Sequence, residues 1–285
     1  MYGTMNDKHN EKTAKEWRDS AAYWMRHEST VRTMFTPLTD ALLEAAELKA
    51  GHRVLDVAGG PGEPSLRIAE AVGPAGRVVH TDFALEMVLS ARGEAGERGL
   101  ANLDHVLMAG QSIAFADRTF DRVSCRLGFM FMPEPLGTAA EMLRVTRPGG
   151  RIVLVVWGTR EDNPYFRIPA DVVARYVPAP PDPPDAATAW RYAEPGKLVG
   201  LFERAGAASV AEREFDFVMT SGLDFEAFWT ARQELSGSLR EKLGTLHAAG
   251  RERITKETRE AMAPFFATGV MRIPARALAV TVVAG

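Results

Sequence analysis

Between Arg53 and Trp157 the chain alternates short apolar runs with amphipathic stretches. The strand-like runs are Arg53–Ala58, Arg77–Asp82, Leu103–Met108, Phe120–Cys125 and Arg151–Trp157. Near-continuous apolar runs such as Ile152–Trp157 suggest a sheet covered on both faces. Helical spacing lies between them. Leu66, Ile68, Ala69 and Val72 share a stripe behind Pro64, a residue suited to a first turn. Ala84–Glu97 carries Leu85, Val88 and Leu89, and Pro135–Val145 carries Leu136, Ala139, Ala140 and Leu143. Arg147-Pro148-Gly149-Gly150 predicts a turn, with Pro148 fixing φ and Gly149 tolerating a positive one. Repeated β-α-β with right-handed crossovers predicts an α/β fold. Two later strands, roughly Val210–Thr220 and Ala277–Ala284, make it a Rossmann-like, doubly wound, mainly parallel seven-stranded sheet with helical lid insertions.

The pattern divides the chain into an N-terminal helical cover (1–48), a core (49–158), a proline-rich insertion (159–194), a core continuation (195–220), a helical insertion (221–275) and a final strand (276–285). Pro178, Pro180, Pro181, Pro183 and Pro184 predict a stiff loop in the proline-rich part. The charged helices of 221–275 either form a lid at the carboxyl edge of the sheet or close a larger core.

Composition narrows the function. The 285 residues are 46% hydrophobic, enough for a full core, and the net charge of -3 argues against general nucleic-acid binding. A single cysteine, Cys125, excludes an internal disulfide and cysteine-rich zinc sites. The polar N-terminus lacks the apolar centre of a signal peptide, and Ile152–Trp157 is far too short to span a membrane. These features predict a cytoplasmic monomer or homodimer with neither membrane nor nucleic-acid partners.

The chemistry is concentrated in Val54-Leu-Asp-Val-Ala-Gly-Gly-Pro-Gly-Glu-Pro-Ser65, a strand, a small-residue turn and a helix start. Gly60 and Gly62 permit positive φ and close approach of a ligand to the backbone. Asp82 ends the next strand on the same sheet edge, positioned for ribose hydroxyls. A nicotinamide or flavin fingerprint needs G-x-G-x-x-G and a pyrophosphate on the helix N-terminus. Here Ser65 takes the third glycine position, and Glu63 at the helix mouth would repel a diphosphate. Asp56 suits instead a ligand carrying a cationic amino group.

These residues resemble the class I S-adenosylmethionine (SAM)-dependent methyltransferases, in particular the small-molecule, ubiquinone/menaquinone-methyltransferase-like branch. Asp56-Val-Ala-Gly-Gly-Pro-Gly62 is similar to that family's D-x-G-x-G-x-G, with Ala58 in place of the first glycine. His80–Met87, Ala116–Asp121 and Glu141–Gly150 resemble its following motifs in order. The resemblance implies that Ala58, Gly59 and Gly60 line the methionine moiety, with Asp56 near its ammonium group. It implies Asp82 on the ribose, Phe83 and Met87 against adenine, and Arg126 and Leu127 near the sulfonium. Ala109 stands at the family's adenine-binding aspartate, which leaves Gln111 or the Gly110 backbone to meet the adenine edge.

SAM is an activated donor, so the protein mainly aligns an acceptor and excludes water. The resemblance implies a small-molecule acceptor, and O-methylation of a hydroxyl is the leading expectation. C-methylation of a quinol-like ring is the near alternative; a dinucleotide oxidoreductase and a noncatalytic SAM-binding protein are the rivals. Among six histidines, His27 is the candidate general base, on a helix expected to cover the site, with Tyr23 at i−4 orienting the acceptor. His80 is expected beneath the cofactor. No cluster of carboxylates suggests a metal. Arg191, Arg232 and Arg272 are candidate partners for an anionic substrate, and the aromatics Trp190, Tyr192, Phe225, Phe228, Trp229, Phe265 and Phe266 are candidate pocket walls or core.

Overall fold

The computed structural model describes residues 5–183 and 185–285, with side chains at Lys15 and from Trp17 onward. His9 as a candidate base and Pro184 of the expected loop lie outside that description. Five parallel strands form in chain order, β1 (Arg53–Val57), β2 (Arg77–Asp82), β3 (Leu103–Leu107), β4 (Phe120–Arg126) and β5 (Thr146–Trp157). With β6 (Ser209–Ser221) and β7 (Met271–Val283) they give one seven-stranded sheet in the order β3-β2-β1-β4-β5-β7-β6. Only β7 runs antiparallel to its neighbours. The order reverses between β1 and β4, and α/β sheets bind ligands beyond the carboxyl ends of the strands at such a switch point.

The helices are α1 (Met5–Arg26), α2 (Glu28–Ala46), α3 (Ser65–Val72), α4 (Leu85–Glu97), α5 (Pro135–Val145), α6 (Pro164–Ala174), α7 (Lys197–Arg204), α8 (Phe225–Leu235), α9 (Gly237–Gly244) and α10 (Ala248–Met262). α2 buries Val31, Met34, Phe35, Leu38 and Leu42 and packs across β4, β5, β6 and β7. α1 touches α4 at one end of the carboxyl edge and α8 and α9 at the other. A core of Leu55, Val123, Val153, Leu154, Val155 and Val280, all essentially inaccessible, holds the sheet between its helical layers.

Three expectations need correction. The Arg147–Gly150 turn is built into β5 as a bulge: Gly149 has φ +72°, and its N–H donates to the Ala284 carbonyl (2.9 Å). Residues 271–275, expected in the helical insertion, extend β7, where inward Met271, Ile273 and Ala275 alternate with outward Arg272 and Pro274. The proline-rich segment contains α6. Pro164 occupies its first turn, where no N–H is needed, and burial of Tyr165, Val172 and Val173 offsets the break imposed by Pro169.

Candidate functional site

The loop after β1 is held from beneath by a buried polar layer. Asp56 is inaccessible to solvent and accepts hydrogen bonds from Ser65 Oγ (2.5 Å) and Ser124 Oγ (2.6 Å). Burial pushes its carboxyl up to about 6, against the opposing pull of the two serines. His80 is equally buried, and its Nε2–H donates to the Gly60 carbonyl (2.9 Å). Its imidazole is held below its ordinary value by burial, so it supports the loop as a neutral ring. A Cβ on Gly59 would lie 2.5 Å from the His80 ring and 2.9 Å from Asp56 Oδ2, so glycine is required by packing there. Ala58 has φ +56°, which accounts for the glycine that the resembling motif carries at this position.

Above this layer lies a cavity of about 500 Å³, within the range of small-molecule sites. Ala58, Gly59 and Gly60 form one wall. Asp82 enters from the end of β2; its carboxylate accepts from the backbone N–H of Gly60 (3.0 Å) and of Ala84 (2.9 Å). Those two bonds fix the carboxylate and leave lone pairs for further donors, while burial raises its pKa. Phe83, Met87 and Leu107 supply an apolar wall, with Ala109, Gly110 and Gln111 beside them. Leu127 and Gly128 follow β4, Leu127 in the left-handed region at φ +60°. Trp17, Trp24 and Phe131 close the top, with Trp17–Trp24 and Trp17–Phe131 centroids 5.5 and 5.2 Å apart.

The polar end of the cavity holds a group that sequence reasoning treated only as an argument against phosphate. Glu63 lines the wall, is 8% exposed, and its Oε2 has no hydrogen-bond partner. Its nearest cation is Arg98, at 3.8 Å from Oε1, and burial raises its pKa. Facing the same cavity, Arg126 is held by Thr39 Oγ1 (2.9 Å) and the Glu63 carbonyl (3.0 Å), and its Nε is unpartnered. A buried carboxylate oxygen and a guanidinium N–H, both unsatisfied at one end of a cavity, match the ammonium and carboxylate of an amino acid. Asp82 lies elsewhere in the same wall, suited to a sugar diol. The residues present therefore fit SAM.

Four candidate residues are not brought to this cavity. Asp56 lies under the loop, spent on two serines, so it cannot meet a ligand ammonium directly. Gly62 faces Leu66 and Ala91 in the packing behind the loop. His27 and Tyr23 do share a helical face, but that face meets α8 and α9. His27 Nε2 pairs with Glu234 Oε2 at 2.5 Å, and the Arg240 guanidinium sits 4.5 Å from the Tyr23 ring. They join the end of α1 and its junction with α2 to α8 and α9, and among the described residues no histidine lines the cavity. The expectation of His27 as base and Tyr23 as acceptor guide is corrected accordingly. Of the aromatic candidates, Phe225, Phe228, Trp229 and Phe266 pack on one another as core.

The model of the ubiE/COQ5 methyltransferase family matches residues 38–178, which contain the loop, Asp82, Glu63 and Arg126. Over that segment the chain is similar to the ubiE/COQ5 methyltransferase family. Among relatives, it is 37% identical over 117 residues to a ubiquinone/menaquinone biosynthesis C-methyltransferase of Bdellovibrio bacteriovorus, covering 41% of this chain and 49% of that one. It is 37% identical over 133 residues to an aklanonic acid methyltransferase of Streptomyces sp., covering 47% and 57%. The matches thus span about half the length of these curated relatives. The YcgJ protein from Bacillus has a similar fold, with a TM-score of 0.57 at 19% identity over 86% of this chain and 97% of that one. Outside 38–178 the chain carries α1, α7–α10 and the β6–β7 ladder. Among the described residues no helix is long and apolar enough to cross a membrane.

Proposed function

We propose that the chain is a SAM-dependent methyltransferase acting on a small organic acceptor whose reacting atom is already nucleophilic, an ionised oxygen or an electron-rich ring carbon. The observation that carries this reading is the cavity wall itself: Asp82 fixed by Gly60 and Ala84 N–H, with unsatisfied Glu63 and Arg126 at the polar end. Bound SAM supplies an activated methyl group on a sulfonium. Asp82 holds the ribose, Phe83 and Met87 hold the adenine, and the closure of Trp17, Trp24 and Phe131 excludes water. The leading expectation of O-methylation is kept only for a hydroxyl acidic enough to need no protein base, because no described histidine faces the cavity. C-methylation of a quinol-like ring, the reaction class named for one relative, meets the same condition. Alignment of the nucleophile with the methyl group then provides most of the rate. A dinucleotide fits poorly, since the buried Glu63 carboxylate occupies the mouth of α3.

The test is incubation with methyl-labelled SAM and a panel of acidic phenols, quinols and aromatic acids. Label is expected in an organic-soluble product. Failure across the panel and a metabolite extract, with SAM bound, would refute transfer and favour a binding role.

A further inference from the structure

Charge is distributed unequally along the cavity. Among the described residues its wall carries two carboxylates, Asp82 and Glu63, and two guanidinium groups, Arg18 and Arg126. Glu63 and Arg126 lie together at the polar end, where the Glu63 carbonyl accepts from Arg126 (3.0 Å). Asp82 is the partner of the sugar. No carboxylate therefore remains for the base.

The sheet fixes where that base lies. Leu107 at the end of β3 pairs in register with Asp82 at the end of β2, and β3 is the outer strand. A base on a sugar held at Asp82 thus extends towards the β3 edge, with Phe83 and Met87 as its apolar wall. Beyond β3 the chain makes a tight turn in which the Ser112 N–H donates to the Ala109 carbonyl (3.1 Å). Gly110 is pressed into the cavity floor, since a Cβ there would lie 2.8 Å from Met132 Cε and 3.0 Å from Val57 Cγ1. Gln111, next in the turn, is left exposed on the rim beside Leu107, itself 55% exposed. The cavity opens to solvent there, and the Gln111 amide has no partner among the described residues.

The outer edge of adenine presents an amino donor beside a ring acceptor. Hypoxanthine presents the reverse, a carbonyl acceptor beside a ring N–H. A carboxylate only accepts, so it would hold the first edge and repel the second. A side-chain amide carries both a donor and an acceptor, and half a turn about its last torsion matches it to either edge. Arg18, also exposed at the rim, offers donors alone, which suit the ring nitrogens that both bases share. Apolar walls such as Phe83 and Met87 discriminate weakly between molecules of the same shape.

We infer that Gln111 reads the outer edge of the base as a reversible amide, so that the site binds S-inosyl forms of the cofactor as well as S-adenosyl forms. This rests on the SAM reading of the same cavity and widens its ligand class to 6-oxopurine nucleosides. Gln111 is a binding residue that acts away from the methyl group.

The experiment uses the full chain and calorimetry. S-adenosylhomocysteine is titrated first; if it does not bind, the cofactor reading fails and this proposal with it. S-inosylhomocysteine is expected to bind wild type within about threefold of S-adenosylhomocysteine, less than the loss of one neutral hydrogen bond commonly costs. Gln111→Glu, which makes the acceptor permanent, should raise the preference for adenine to about tenfold or more, the lower end for a charge-assisted bond. Gln111→Ala should weaken both ligands by about threefold and leave their ratio unchanged. With S-adenosylhomocysteine bound, a wild-type preference beyond threefold overturns this proposal alone, as the mark of a backbone group at Gly110 or Gln111 that reads one base only, and needs no variant to fold. Unchanged affinities in Gln111→Ala, or a ratio still within threefold in Gln111→Glu, overturn it as well.

Discussion

Asp56→Asn isolates the buried polar layer that supports the cofactor loop. Burial pushes the wild-type carboxyl up to about 6 in the folded protein, from an ordinary value of 3.8. Its folded value lies above the unfolded one, so its contribution to stability is fully present below about 3.8 and is lost as pH rises through about 6. At 1.36 kcal/mol per pH unit, the interval corresponds to about 3 kcal/mol, of which about 2–3 kcal/mol falls between pH 4 and 7.5. Asparagine has nearly the same shape; its oxygen accepts from one serine and its amide donates to the other, with no proton to lose. Urea unfolding of both proteins across this range should show the variant gaining about 2–3 kcal/mol on wild type as pH rises. A difference that stays constant over the range would mean that Asp56 is not desolvated as the structure has it, and the account of the loop support would be wrong.

Two further outcomes concern the cavity and its cover. Glu63→Gln should weaken S-adenosylhomocysteine about tenfold or more, the lower end for losing a charge-assisted bond. 5′-Methylthioadenosine, which lacks the amino acid, should bind both proteins alike; a parallel loss for both ligands by calorimetry would point to general damage. His27→Ala should change turnover less than about threefold, well short of the 10²–10⁴-fold loss of a general base, while hydrogen exchange quickens in α1 as the Glu234 contact goes. A hundredfold fall in turnover would restore His27 as the base.

The core was legible because β1, β2 and the later part of β5 are buried on both faces, with glycines and Asp82 marking the ligand edge. The missing part of β7 was present as alternation from Met271 to Ala277, but two arginines and a proline in that stretch concealed it. α6 was missed because Pro164 and Pro169 weigh against a helix locally, and burial of Tyr165 and Val173 decides it only in the folded protein. In the site, spacing put Tyr23 and His27 on one face but carried no information about what that face meets. Its partners, Glu234 and Arg240, arrive from α8 and α9, 207 residues on from His27 in the case of Glu234. Arg126 was expected only as a residue near the sulfonium, and its side chain proved to line the cavity with its guanidinium held by Thr39 and the Glu63 carbonyl. Glu63 was visible as a negative charge in the loop, yet its lack of a partner is a property of packing alone.

The account stands on Asp82 as the ribose anchor of a SAM site, and calorimetry with S-adenosylhomocysteine tests it most directly. Asp82→Ala removes the acceptor for Gly60 and Ala84 N–H and for the ligand diol. At about 1.5–3 kcal/mol per charge-assisted bond, the variant should bind at least tenfold more weakly than wild type. NADH should bind neither protein. Wild-type affinity in Asp82→Ala, or wild-type binding of NADH in place of S-adenosylhomocysteine, would contradict the assignment.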